Sequence, residues 1–327
     1  MNKRALEKTL EEIISQPTAP FHEYHVRGAI QAALKGVKGV RLMQDSFGNL
    51  IAHYKKGRVK AKWALGAHMD HPGWVRTKDG GSVFLGGVPE SYRAENMDKI
   101  VWHGGFGVWD VPAFERWNGS VVARACDDLA GCAIAVTVMQ EMARREMDGN
   151  FYALFTRAEE VGFVGIHRML EEGAYPADVT FLCLETSAMV EGARKDGGPV
   201  IRVGDRLSSF TNEAVGAIES TAKEHKIDCQ RLLLDRGACE ASAVLAHGLP
   251  ACGISLLLEN YHNCGPGTAI LPEKIEVEDV ARTVKLVLSL LGAPPPITAG
   301  KKLLDRVRSL DAQNAPHEAA AREFWPK

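Results

Sequence analysis

Apolar positions along this chain fall into two rhythms, helical stripes and short continuous runs. Leu6, Leu10, Ile13 and Ile14 share one face of a helix predicted over 4–15, which Pro17 ends. Further helical patterns cover 23–35, 129–145, 163–172, 213–226, 239–247 and 277–291. Between them lie apolar runs of strand length: "NLIAHY" (49–54), "WALGA" (63–67), "FYALFT" (151–156), "VTFLCL" (179–184) and "ACGISLL" (251–257). The alternation predicts an α/β protein with a mixed, largely parallel central sheet flanked by helices.

The stretch from Trp74 to about Val121 breaks this rhythm. It is rich in glycine, proline and aromatics, and it holds four of the six tryptophans: Trp74, Trp102, Trp109 and Trp117. We expect a small β-rich insertion over 74–121, carried by an α/β domain made of 1–73 and 122–292. The tryptophans read first as the core of that insertion, with subunit contact or a wall of the active site as the alternative. "GAPPPITAG" (292–300) is a linker by composition, so 293–327 is expected to be linker and C-terminal tail, with one short amphipathic helix at most.

The 327 residues carry a net charge of −2, with 46% hydrophobic and 24% charged positions. That is ordinary for a soluble globular protein, and it argues against nucleic acid or an anionic membrane as the main partner. The N-terminus has no apolar stretch of signal-peptide length, and no run approaches the roughly 20 apolar residues of a membrane span. The seven cysteines are odd in number, form no CxxC pair and sit mostly in apolar contexts. Reduced, buried thiols and a cytoplasmic location are the expectation.

Candidate chemistry collects at the ends of the apolar runs. His68 and Asp70 follow "WALGA", Glu159 and Glu160 follow "FYALFT", Glu185 follows "VTFLCL", and His262 comes after "ACGISLLLENY". Asp127 and Asp128 sit in "ACDDLAG", just before the helix at 129–145. In an open α/β sheet, ligands gather at the carboxyl ends of strands, so these scattered residues can converge. Two imidazoles and three carboxylates suit two divalent cations with one bridging carboxylate, zinc being the first choice. A spare carboxylate is then needed to move a proton. Adjacent glutamates answer both needs, one binding metal and the other acting as the base, while the cations offset their repulsion.

With those residues in place, the chain resembles the tetrahedral-aminopeptidase family of co-catalytic dimetal peptidases, which includes glutamyl and deblocking aminopeptidases. The resemblance runs from about residue 5 to 290, through "PTAPFHE" (17–23), "DSFGNLIAHYKKG" (45–57), "AHMDHPGWV" (67–75), "ACDDLAG" (125–131), "RAEEVGFVG" (157–165), "GGPVIRVGD" (197–205), "GACEASAVLAHGLPACGI" (237–254) and "NYHN" (260–263). It implies a fold of the dizinc aminopeptidase type and two divalent ions per subunit, zinc with cobalt or manganese as alternatives. It implies that His68 and Glu185 bind one ion, that Glu160 and His262 bind the other, and that Asp127 bridges, with a cis peptide to Asp128. Asp70 would orient the His68 ring, and Glu159 would be the general base and then the acid. The implied activity is removal of N-terminal residues from peptides with a free N-terminus, by a homo-oligomer. A deacylase acting on N-acyl small molecules and a non-catalytic binding relative are the alternatives.

This chain also departs from the family pattern. Glu185 stands where the family usually has Asp, and a Gly-Thr-Asp signature becomes Ala238-Cys239-Glu240. The last histidine lies in "LLENYHNCGPG" rather than beside Arg and Pro. From Asp70 to Asp127 is 127 − 70 = 57 positions, shorter than usual for an insertion that carries subunit contacts, so dimer and dodecamer both stay open. From Glu185 to His262 is 262 − 185 = 77 positions, already filled by core elements. That leaves no room for the lid of the related carboxypeptidase and deacylase branch. His71 reads as a loop residue, with pocket lining as the alternative, and His247 as a residue favouring a helix C-terminus. His167 receives no role. Cys126 is a remote alternative metal ligand.

Overall fold

The computed structural model describes residues 3–195, 197–292 and 304–313. Helices α1 (Lys3–Ile14) and α2 (Tyr24–Leu34) lead into β1 (Val40–Gln44), β2 (Leu50–Lys56) and β3 (Trp63–His68). Next come β4 (Gly73–Arg76), β5 (Ser82–Leu85), α3 (Glu90–Glu95), β6 (Ile100–His103), β7 (Phe106–Trp109), β8 (Glu115–Trp117) and β9 (Ser120–Ala123). The chain continues through α4 (Leu129–Arg144), β10 (Gly149–Thr156), α5 (Val164–Glu171), β11 (Thr180–Ala188), β12 (Val200–Asp205) and α6 (Asn212–Glu224). It closes with β13 (Gln230–Leu234), α7 (Glu240–Ala246), β14 (Ala251–Leu258), β15 (Glu273–Glu276) and α8 (Val277–Gly292).

The main sheet has eight strands in the order β1-β2-β10-β3-β11-β14-β12-β13. Its centre, β10-β3-β11-β14, is parallel throughout, and antiparallel pairs join it to β2 on one side and β12 on the other. All six residues of β3 are buried, because helices cover both faces of a central parallel strand. Helix α1 buries Leu6, Leu10, Ile13 and Ile14, the stripe its period predicts, and packs on α4. Almost all of α4 is buried; its alanines and glycine let it approach β3 and β11 closely, and Asp128 caps it by accepting the Gly131 amide at 3.2 Å. Among the described residues, no helix is long and apolar enough to cross a membrane.

Four strands have no counterpart among the predicted runs: β1, β12, β13 and β15. Strands β1 and β13 are the edges of the main sheet and carry polar, exposed positions. Strand β15, "EKIE", is mostly charged. None of these offers an unbroken apolar signal. In the stretch from 73 to 109, β5-β4-β7-β6 form a separate four-stranded sheet, whereas β9 pairs with β8 on one side and with β15, from much later in the chain, on the other. Trp74 and Trp109 are buried against Val88 and Ile270, but Trp102 and Trp117 are exposed, so the core reading of the tryptophans holds for only two of them. The linker at 293–300 lies outside the described residues. Of the expected tail, only 304–313 is described, and it is helical and exposed.

Strands β3 and β11 touch through Gly66. A Cβ there would lie 2.0 Å from the buried Phe181 ring, so no larger residue fits. Gly66→Ala should destabilise the protein by about 1–3 kcal/mol through overpacking, read as a lower urea midpoint. Adding Phe181→Leu should recover part of that loss, since the two sites share one contact.

Candidate active site

The sheet sets the site by bringing four strand ends to one edge. His68 is the last residue of β3, Glu159 and Glu160 follow β10, and His262 follows β14. Glu185 lies within β11, which runs four residues past its predicted end. Asp127 arrives from the loop between β9 and α4, and its peptide to Asp128 is cis.

All the predicted site residues meet in one place. His68 Nε2 lies 3.3 Å from Asp127 Oδ1, 3.5 Å from Glu185 Oε1 and 4.0 Å from Glu159 Oε2. His262 Nε2 lies 3.4 Å from Asp127 Oδ2 and 3.1 Å from Glu160 Oε1. Asp127 therefore offers a different oxygen to each histidine. The Nδ1 atoms of His68 and His262 face the main-chain carbonyls of Asp70 at 3.1 Å and Gly87 at 3.2 Å. A carbonyl only accepts, so Nδ1 carries a hydrogen, and in the neutral ring the Nε2 lone pair points at the carboxylates.

Lone pairs facing carboxylates repel unless positive charge lies between them. Burial by itself would lower the His68 ring, but Glu159 and hydrogen bonding with Asp127, Asp70 and Glu185 hold its pKa well above the ordinary value. His262 is raised in the same way, against burial, by Glu160 and Asp127. Burial opposes ionisation of Asp127, yet His262 and His68 hold its carboxyl far below the usual range. Burial pushes Glu159 well above that range; His68 opposes this, while Glu185, Glu160 and Asp70 add to it. Asp127 Oδ1, Glu160 Oε1 and His262 Nε2 are buried without an aligned hydrogen-bond partner, even though they approach one another. This donor set of two imidazole nitrogens and several carboxylate oxygens fits divalent metal ions. His68, Asp127 and Glu160, and likewise His68, Asp128 and Glu185, each place three donor atoms within 4.8 Å of one another.

The bracing around these groups differs from expectation at two positions. The Asp70 carboxylate does not mainly orient His68. It accepts the amides of Glu159 at 2.9 Å and Glu160 at 3.1 Å, and its Oδ1 is 3.5 Å from the ring, farther than its own carbonyl. It braces the turn that presents the two glutamates and also faces the His68 ring. His71 is no simple loop residue either. It is buried and ties the Asp127 carbonyl, 2.7 Å from Nδ1, to Asn263 Oδ1, 3.1 Å from Nε2. Cys126 is buried and its thiol is pushed well up by burial, with Glu273 and Asp127 adding. All seven cysteines are free. His247 caps the C-terminal end of α7.

Two bracing carboxylates have no signature in the sequence. Glu273, fully buried on β15, accepts the amides of Cys126 (2.7 Å), Asp127 (2.9 Å) and His262 (2.8 Å). Glu23 accepts the Phe21 and Ala158 amides and pairs with Arg157 at 2.7 Å, fixing the approach to Glu159. Beside the histidines opens a cavity of about 220 Å³ whose lining includes Glu159, Glu160, Glu185, Arg202, Arg236 and Tyr261.

Glu273→Gln replaces one accepting oxygen with a donor that would confront a main-chain amide. It should leave the fold intact and lower the affinity for a divalent metal by roughly 10–100-fold, as is usual for groups that position ligands. Chelator competition on the purified variant measures this directly.

The sequence pattern of the M42 glutamyl aminopeptidase family matches residues 90–286. An aminopeptidase-named protein of Acetivibrio thermocellus is 26% identical over 320 residues, spanning 83% of this chain and 93% of its own length. The TET1 peptidase of Pyrococcus horikoshii superposes with a TM-score of 0.72 at 20% identity, covering 88% of this chain and 100% of that one. An aminopeptidase of the archaeon Desulfurococcus kamchatkensis gives 0.73 at 18% identity, covering 90% and 96%. At such identities the solved structures speak for the α/β fold, whereas the family pattern spans the segments that carry Asp127, Glu159, Glu160, Glu185 and His262. The chain belongs to the M42 glutamyl aminopeptidase family of peptidases.

Proposed function

We propose that this protein is a metal-dependent aminopeptidase that removes N-terminal residues from peptides at a centre of two divalent ions. The supporting observation is the shared Asp127 carboxylate, with a separate histidine Nε2 at 3.3–3.4 Å from each of its oxygens. His68 and Glu185 would hold one ion, Glu160 and His262 the other, and Asp127 both, with zinc preferred over cobalt or manganese. Ions bound there supply Lewis acidity to the scissile carbonyl and to a water molecule.

The remaining steps belong to the chain. Glu159, raised in proton affinity by burial and held by the Asp70 brace, takes the proton from water and delivers it to the leaving amine. The acidic corner around Glu160 receives the substrate's free amino group. The cavity of about 220 Å³ is below the usual 300–1,000 Å³ of drug-sized pockets, which suits one residue rather than a long peptide. Arg202 and Arg236 line it and favour an acidic first side chain. Exposed Val83, Met97, Val101 and Trp102 on the β5-β4-β7-β6 sheet and its loops suit contact between copies, and we read the protein as a homo-oligomer. Free thiols suit the reducing cytoplasm.

The test is hydrolysis of free aminoacyl and N-acetylated aminoacyl amide reporters by metal-stripped protein with zinc, cobalt or manganese restored. Only free-amine reporters should be cleaved, and Glu159→Gln should lose about 10²–10⁴-fold in kcat while still binding metal. Cleavage of the blocked reporters instead would make the protein a deacylase. Within the free-amine set, Arg236→Ala should lower kcat/KM for the glutamyl reporter about tenfold or more and leave the leucyl reporter little changed. Equal losses on both reporters would remove Arg236 from substrate recognition.

A further inference from the structure

A second cluster of metal-ligating side chains lies on the surface, and it shares no residue with the candidate centre. Helix α5 carries "HRMLE", so His167 and Glu171 stand one turn apart on the same face. Helix α7 ends beside it. Its cap residue His247, turned by Gly248 at φ 77°, brings a second imidazole to the first. His167 Nδ1 and His247 Nε2 are 3.3 Å apart, and Glu171 Oε1 is 3.7 Å from His247 Nδ1. One donor atom from each of the three residues falls within 4.8 Å of the others.

We propose that His167, His247 and Glu171 form a binding site for one divalent transition-metal ion, with zinc as the fitting probe. Two nitrogens on one tetrahedral zinc at about 2.0–2.1 Å stand about 3.3–3.4 Å apart, which is the separation found. Without a metal, the same two nitrogens share a hydrogen bond at this distance, so the pair is already aligned ring nitrogen to ring nitrogen. Glu171 either supplies the third ligand or accepts the His247 Nδ1 hydrogen, which leaves Nε2 free to ligate. Imidazole with carboxylate selects zinc, copper or nickel over magnesium or calcium. Water fills the remaining positions, as the exposure of the cluster allows. The ion would tie α5, which follows the Glu159–Glu160 turn, to α7, whose first residue is Glu240. It would be a structural clamp behind the site rather than a part of the reaction.

The test counts zinc bound per subunit by stripped full-length protein under a competing chromophoric chelator. His167→Ala and His247→Ala should each bind one zinc fewer than wild type, with circular dichroism unchanged and reporter hydrolysis retained. The same pair of substitutions is repeated in a His68→Ala, His262→Ala background, where the candidate centre lacks its nitrogens. A difference of one zinc that persists there supports the surface site, whether or not the centre binds two ions. Equal zinc counts for wild type and both single variants, in either background, would overturn it.

Discussion

Buried like charge is the constraint on which this molecule is built. Asp70, Asp127, Asp128, Glu159, Glu185 and Glu273 are all buried near two histidines. Leaving even one buried charge uncompensated costs several kcal/mol. The structure divides these groups into two kinds. Asp70 and Glu273 spend their lone pairs on main-chain amides. Asp127 and Glu160 keep buried oxygens without an aligned partner, facing histidine nitrogens. The first kind fixes the backbone, and the second leaves its donor atoms free for cations.

The amide-bound carboxylates also tie together segments that lie far apart in the sequence. Fifty-seven positions separate Asp70 from Asp127 (127 − 70 = 57), and it is the two ends of that stretch, His71 and β9, that hold Asp127 in place. Strand β9 leads into Asp127 and pairs with β15, and β15 supplies Glu273, which grips the Asp127 and His262 amides together. His71 and Asn263 repeat the link from the other side, through the Asp127 carbonyl. Asp127 is thus held by segments on both sides of it in sequence, His71 and Asn263 being separated by 192 positions.

Glu185 and Glu240 lie on the His68 side of the centre. Glu185 is a methylene longer than aspartate, and from inside β11 its Oε1 reaches 3.5 Å from His68. Glu240 begins α7, where the helix dipole would favour its charge. Burial prevails and pushes its carboxyl up to about 8, so it is mostly neutral at pH 7. The raised proton affinity of Glu240 makes this flank less negative than two fully ionised glutamates would. The two arginines lining the cavity lie on the same flank.

What the sequence by itself determined was the periodic part of the fold and which acidic and imidazole groups come together at one edge of the sheet. Helix α1 and strand β3 were legible because burial imposes a local period. His68, Glu159, Glu160, Glu185 and His262 were legible because they follow apolar runs of strand length, and Asp127 because it stands just before a helical stripe. Only the tertiary structure decided what holds those residues in place. Glu273 sits in "EKIE", indistinguishable along the chain from a surface strand, and its partner Cys126 is 147 positions away. Asp70 reaches the Glu159 amide across 89 positions, and His71 reaches Asn263 across 192. Edge strands β1 and β13 stayed hidden because an edge buries too little to need an apolar run. Periodicity records what a residue does with its neighbours in sequence. A bracing hydrogen bond depends on neighbours that exist only once the sheet has formed.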